Sequence, residues 1–418
     1  MEGHIIETRY PLTFREEEAG RLGALLSNRR SVVLVGMKRV GISNFLRFFL
    51  YHKDIPQTYL KGDNHFFVPV DLNDLVEREL FPFWVLTLKR IADSVEASTL
   101  PDKVKKKVSS YFLDSIQSQD LFFTIDCVRK SLSSLAEEGY LPTVFYLRFD
   151  RLEEAISPEL FANFQGLVDA AHGKLSFVFT SDRALKSVSV FADTFYIKPA
   201  KHTDTQIVFD TNIKTRPLKL GEEETKNLLG LVDGYIQYLQ FALISLHEVD
   251  KIPATKDELF EFLLKDERIA LQSEELWESL TDREQKALLE IGSGKAIKDF
   301  PETEYLWSTG IVGEDDKLFS SLFEEYIRTK GSRRETVSVD LTKKELALLN
   351  FLEANKDQVC EREQIIENVW PEAEELGVTD WAIDRLVARV RVKLKNQNSK
   401  KEIVTVKTRG YKLTEGKS

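Results

Sequence analysis

Five short runs in the front half of the chain are continuously apolar and rich in β-branched or aromatic residues: SVVLVG (31–36), HFFVPVDL (65–72), TVFYLRFD (143–150), LSFVFTSD (175–182) and TFYIKP (194–199). Apolar runs of this length predict buried strands. Segments of helical apolar spacing separate most of them, such as FLRFFLYH after the first. Strand alternating with helix predicts a parallel α/β sheet covered on both faces. From Lys219 to Glu248 the pattern is helical, and LWESLTDREQKALLEI then gives one apolar face at Leu276, Leu280, Leu288 and Ile291. GIVGEDDKLFSSLFEEYI predicts a hairpin and a closing helix.

The polar stretch RTKGSRRET breaks this order and marks a linker at 331–336. Beyond it, Thr342 precedes Glu345 by three residues, a capping-box start, and Leu346, Leu349 and Leu352 continue a helical stripe. Arg362–Val369 reads as a second helix stopped by Trp370-Pro371. A third runs through DWAIDRLVARVRVKLK with Thr379 or Asp380 as its cap. Ile383, Val387, Val390 and Leu394 share one face of it, while Arg385, Arg389 and Lys393 project from other sectors. EIVTVKTRGYKL reads as two strands around a tight turn, with Gly410 at the special position.

Length and composition narrow the class. A chain of 418 residues supports about two to four domains. With 42% hydrophobic and 30% charged residues, each can bury a core. No run of about 18 apolar residues offers a membrane span, and the N-terminal residues lack the apolar region of a signal peptide. Cys127 and Cys360 make no disulfide framework and read as buried small residues of a cytoplasmic protein. His4, His52, His65, His172, His202 and His247 show no metal spacing, so neither a metal site nor a catalytic residue is expected. The net charge of −10 hides a local asymmetry. From 385 to 413 there are ten basic residues and one acidic; from 336 to 384 there are four basic and twelve acidic. Positive charge confined to the last helix and hairpin is an electrostatic footprint for a phosphate backbone. The segment 255–330 has no such face, with Glu274, Glu275, Glu278 and Asp282 on its approach, and reads as a packing module.

The candidate chemistry of the front half lies in GMKRVGIS, between the first strand and the first helix. Gly36 and Gly41 let the backbone turn its N–H groups inward, and the following helix N-terminus favours an anion. The spacing matches GxxxxGK(S/T) at both glycines and at Ser43, but Ile42 stands where the lysine belongs. Lys38 and Arg39 lie inside the loop as partial substitutes.

On these residues the chain resembles the AAA+/STAND class of P-loop ATPases found in bacterial regulators, over about residues 10–330 and including the leader FREEEAGRLGALL. The resemblance implies an ATPase-like core (1–216), a helical lid (217–254) in which DGYIQYLQ keeps Gly234 but has Ile236 for proline, and a winged helix (255–330). It implies an ATP or ADP pocket, though no cofactor is certain, from Gly36, Lys38, Arg39, Gly41, Ser43 and Asn44, with Asp150 holding magnesium and Ser181 and Arg183 sensing the terminal phosphate. Two departures argue against hydrolysis: Ile42, and Arg151 where an acidic residue often follows the aspartate.

The tail (337–418) resembles the OmpR/PhoB-type winged-helix DNA-binding domain through LTKKELALLNFL, Val369-Trp370, IDRLVARVRVKL and TVKTRGYKL. The resemblance implies double-stranded DNA as partner, with Arg385 and Arg389 at base edges, Arg391 on phosphate, Thr405 and Tyr411 on the backbone, and Lys407 in the minor groove. Lys393 and Arg409 complete the expected contact set. Trp381 and Ala388 depart from family arginines. The expected fold is an α/β P-loop NTPase-like parallel sheet with a helical lid, followed by two winged-helix domains. The expected function is transcription regulation by a non-hydrolysing sensing or assembly core, with self-association a further expectation. A slow ATP-driven switch and a non-catalytic scaffold stay open beside it.

Overall fold

The computed structural model describes residues 5–415 apart from 61, 63, 186, 187, 189, 293–302, 333–340, 372–377, 379, 398, 407 and 408. The chain divides into two compact units. The first comprises Met1–Lys219, Asp233–Ile236 and Glu304–Asp315; the second comprises Leu220–Val232, Gln237–Thr303 and Asp316–Ser418.

The first unit is built on a five-stranded parallel sheet. Its strands are β1 (Val32–Val35), β2 (His65–Asp71), β3 (Leu141–Leu147), β4 (Ser176–Ser181) and β5 (Asp193–Tyr196), in the order β2-β3-β4-β1-β5. Each predicted run forms a strand. β1 and β4 are buried at every position, as inner strands require. β2 lies at an edge and alternates between buried and half-buried, which tolerates Pro69 because no neighbour needs its missing N–H. The core on one side is aromatic: Tyr146 stacks with Phe177 and Phe179, and Phe164 packs against Trp84, Phe83 and Phe179.

In the second unit, helices Glu222–Val232 and Ile236–His247, the latter beginning at the last residue of the first unit, precede Lys256–Leu264, Glu267–Glu278 and Asp282–Gly292. Thr255 and Glu258 form a full capping box, and Asp266 caps the next helix by accepting from the N–H groups of Arg268 and Ile269. The hairpin expected near 311–320 is reduced to single bridge residues at Val312 and Leu318, so a winged helix over 255–330 is not clearly formed among the described residues.

The tail is a winged-helix domain. Helices Lys343–Ala354, Arg362–Val369 and Asp380–Asn396 pack on an antiparallel sheet of β6 (Cys360–Glu361), β7 (Lys401–Val406) and β8 (Gly410–Glu415), ordered β6-β8-β7. Its core holds Leu348, Leu349, Leu352, Ile365, Trp370, Ile383, Val387, Val390 and Leu394. The Thr342–Glu345 capping box forms as expected. One stripe position is corrected: Leu346 is exposed, and Leu348 takes its place inside. Gly410 has φ +144°, and a Cβ there would lie 2.1 Å from the Cys360 carbonyl oxygen, so only glycine allows β6 and β8 to approach this closely. The expected cap Thr379 lies outside the described residues, as does most of the expected linker.

Candidate nucleotide loop and nucleic-acid interface

The loop of the first unit has the expected frame. It joins β1 to the helix Ile42–Tyr51, with Gly41 at φ +107° as the residue before that helix. The Gly36 N–H donates to the Ser181 carbonyl at 3.4 Å, which ties the loop to the end of β4. A buried leader arginine braces the other side: the Arg15 guanidinium donates to the carbonyls of Lys198 at 3.2 Å and Val40 at 3.4 Å. Burial holds the Arg15 guanidinium below its ordinary value, opposed by Glu18 and Asp204. Sequence reasoning missed Arg15, whose carbonyl partners at Val40 and Lys198 are remote along the chain.

The loop is apolar at the position where a phosphate loop carries its lysine, Ile42. Met37 and Val40 are buried, and a Cβ on Gly36 would meet Val40 Cγ1 at 2.8 Å, the Ile197 carbonyl at 2.9 Å and Ile42 Cδ1 at 3.1 Å. Lys38 reaches Asp182, with Nζ 2.9 Å from Oδ2, and its carbonyl accepts from the Tyr235 hydroxyl at 2.5 Å. Asp150 lies past the end of β3, in the 3-10 turn Phe149–Ala155. Burial, reinforced by the negative charge of Asp182, pushes its carboxyl up to about 6. Arg151 donates to the Asn73 side chain at 2.8 Å. Ser181 is buried and its hydroxyl accepts from the Arg183 N–H at 3.2 Å; the Arg183 guanidinium lies 3.9 Å from the centre of the Tyr305 ring. Arg39 is half-buried with φ +62°, and Ser43 is exposed. Asn44, expected at the pocket, is buried and turned to the leader, donating to Glu7 at 2.9 Å and to the Tyr10 hydroxyl at 3.2 Å.

In the second unit the basic helix Asp380–Asn396 buries Ile383, Leu386, Val387, Val390 and Leu394. Arg385 and Arg389 lie together outside this stripe, and both end on Glu274 of the acidic helix Glu267–Glu278. Arg385 Nη2 is 2.5 Å from Glu274 Oε1 and 3.1 Å from Glu278 Oε1. Arg389 Nη2 meets Glu274 Oε2. Burial pulls the Arg389 guanidinium below its ordinary value, partly offset by Glu267. The acidic helix is held by the Tyr238–Ser273 hydroxyl pair at 2.6 Å and by Arg268, which bridges Asp266 at 2.7 Å and Glu248 at 2.8 Å.

The remaining expected contacts separate into two groups. Arg391 braces the hairpin, donating to the Ile403 carbonyl and the Thr405 hydroxyl, each at 2.8 Å, while Thr405 and Arg409 are exposed. Two of the expected contacts are engaged within the domain. Lys393 is buried, with Nζ 2.6 Å from Glu345 Oε2, so it neutralises a core carboxylate. Tyr411 is buried, and its hydroxyl donates to Asp384 and accepts from Arg362 at 3.2 Å. Lys407 lies outside the described residues. Sequence reasoning missed the engagement of Glu274 and Glu278. Its signal was present: glutamates at 274 and 278 share the four-residue spacing of arginines at 385 and 389.

Among the described residues no group of His, Cys, Asp and Glu is arranged to hold a metal ion, and no helix is long and apolar enough to cross a membrane.

Residues 335–413 match the family model described as "Transcriptional regulatory protein, C terminal". No curated protein matches the chain. Among solved structures, the Walker-type ATPase of Pyrococcus abyssi is similar at 18% identity and a TM-score of 0.49, over 76% of this chain and 96% of that one. The Aeropyrum pernix ORC1 protein in complex with DNA is similar at 11% identity and a TM-score of 0.40, over 98% and 91%. Thermotoga maritima RuvB is similar at 11% identity and a TM-score of 0.37, over 78% and 98%. The chain thus joins a unit built on a five-stranded parallel sheet, with a glycine-flanked loop leading from β1 into a helix, to a tail that matches the C-terminal domain of transcriptional regulatory proteins.

Proposed function

We propose that this chain is a DNA-binding transcriptional regulator of the STAND type whose front unit is a sensing or assembly module. The observation that carries the reading is the family match over 335–413, on a domain that concentrates ten basic residues and one acidic between 385 and 413. Duplex DNA is the partner this charge fits, and a cytoplasmic, bacterial setting goes with it. Arg385 and Arg389 are the base-reading residues of this proposal; Arg391 and Thr405 meet the phosphate backbone, and Lys407 enters the minor groove. Binding-site selection followed by footprinting tests it. Arg389→Ala should weaken binding to the selected site by about 1–3 kcal/mol and relax preference at one base position. An equal loss on every sequence would make Arg389 a phosphate contact, and no protected segment would favour a scaffold.

The front unit is, in this reading, a pseudo-ATPase. Support comes from Ile42 at the lysine position, from the pairing of Lys38 with Asp182, and from Arg151 turned to Asn73. ATP or ADP binding without turnover is compatible with the helix N-terminus and with Asp150. Steady phosphate release by the pure protein, lost with Asp150→Ala, would overturn this part. The helices between 256 and 332 are read as a degenerate winged helix that packs and does not read DNA, and self-association of the regulator on tandem sites belongs to the same proposal.

A further inference from the structure

The basic helix and the acidic helix of the second unit meet through a ladder of matched side chains, rising along one as it descends the other. Trp381 donates its indole N–H to Glu278 at 3.1 Å. Arg385 reaches Glu278 at 3.1 Å and Glu274 at 2.5 Å, and Arg389 ends on Glu274. Lys330 adds a third cation 3.9 Å from Glu274. At the start of the acidic helix, Glu267 accepts from the Thr342 hydroxyl at 2.5 Å and from the Lys344 N–H at 3.4 Å, which ties the first helix of the tail domain to the same element.

Two features set this apart from an ordinary surface ion pair, which is worth little. Glu274 is only 5% exposed, although it carries a charge and sits among three cations. The residues it holds are those on which DNA reading rests. A carboxylate offers a guanidinium two coplanar acceptors, as a phosphate or a guanine edge does. Trp381, a departure from the family arginine, supplies a rung of the ladder.

We propose that the acidic helix is an internal competitor for DNA: Glu274 and Glu278 occupy the base-reading arginines, and duplex binds when the basic helix leaves them. The proposal rests on the DNA-binding reading of 335–413. Its consequence is quantitative, because the apparent affinity is the intrinsic one multiplied by the fraction of molecules in the open state.

The test compares the full-length chain with its Glu274→Gln/Glu278→Gln variant by fluorescence anisotropy, using a labelled duplex of mixed sequence in dilute salt. Glutamine keeps the shape and removes the charge. The variant should bind about tenfold tighter or more. Glu278→Gln alone changes a side chain that is one-third exposed, so it keeps the test valid if the double change disturbs packing, and it should give a smaller gain in the same direction. Equal, measurable affinities of wild type and variants would overturn the competitor and leave DNA binding standing. Failure of all of them to retain the duplex would overturn both.

Discussion

Lys393→Ala separates a core role from a DNA role at one position of the basic helix. The Lys393 ammonium and the Glu345 carboxylate are 2.6 Å apart, with side chains 10% and 1% exposed. The same carboxylate oxygen accepts the Thr342 N–H at 2.8 Å, so Glu345 both closes a capping box and requires a counterion. Removing the ammonium leaves a buried charge whose remaining stabilisers are that N–H and the helix N-terminus. Breaking a buried pair costs about 3–5 kcal/mol, and a helix N-terminus returns about 0.3–1 kcal/mol of it, so a loss of roughly 3 kcal/mol is expected. Native-state hydrogen exchange of peptides from the tail domain reads this as a drop in its opening free energy. In the double variant Lys393→Met/Glu345→Gln, an apolar stem meets a neutral amide that can still cap, and most of the loss should be recovered. The reasoning fails if Lys393→Ala leaves exchange unchanged to within about 0.5 kcal/mol while the slope of duplex affinity against salt falls by about one counterion.

Asp150→Asn tests the front unit by pH. With its carboxyl pushed up to about 6 from an ordinary 3.8, the folded chain binds this proton more tightly than the unfolded one. Wild-type stability contributed by this group is therefore present below about pH 4 and lost as pH rises through about 6, on the order of 2–3 kcal/mol, and the asparagine variant should lack this one component of the pH profile and be more stable at neutral pH. Parallel thermal melts across the window check this; coincident pH profiles would show that Asp150 is not perturbed. Gly410→Ala should destabilise the tail domain by about 1–3 kcal/mol, since the added methyl meets a backbone oxygen that side-chain rotation cannot move aside. An unshifted urea midpoint for that domain would contradict the close approach of β6 and β8.

What was legible in the sequence is what local chemistry decides. The five strand runs, the box of Thr342 and Glu345, the stop at Trp370-Pro371 and the glycine at 410 each follow from a few neighbouring residues, and each appears where expected. What was not legible has a different origin. Lys393 sits next to the buried Leu394, and Glu345, 48 positions away, neutralises its ammonium there. Asn44 falls at a motif position, yet Glu7 and Tyr10 in the leader claim its amide. Tyr411 falls at a motif position for a backbone contact, and Asp384 and Arg362, distant in sequence, close over its hydroxyl. Leu346 and Leu348 both fit helical spacing, and the choice between them is made by what packs against the helix, not by the helix itself.

In both candidate sites, a cation expected to meet the ligand, a phosphate at Lys38 and a base edge at Arg385 and Arg389, is met by a carboxylate of the protein instead. The physical consequences differ because the burial differs. Lys38 and Asp182 are each about one-third exposed, so water screens their attraction and the pair holds Lys38 weakly. A polyphosphate could outbid Asp182 without cost to the fold, but it would still lack the lysine that Ile42 replaces, so displacement alone does not restore catalysis. Glu274 is nearly buried and shared by Arg385 and Arg389. Stripping both arginines away leaves that carboxylate in a poorly solvated place, a penalty that a single surface pair does not carry. Opening therefore demands either many simultaneous phosphate contacts, which an extended duplex provides and a small anion does not, or a rearrangement that solvates Glu274 first. In the proposed competition, the depth of one carboxylate therefore favours an extended polyanion over a small anion before any base is read.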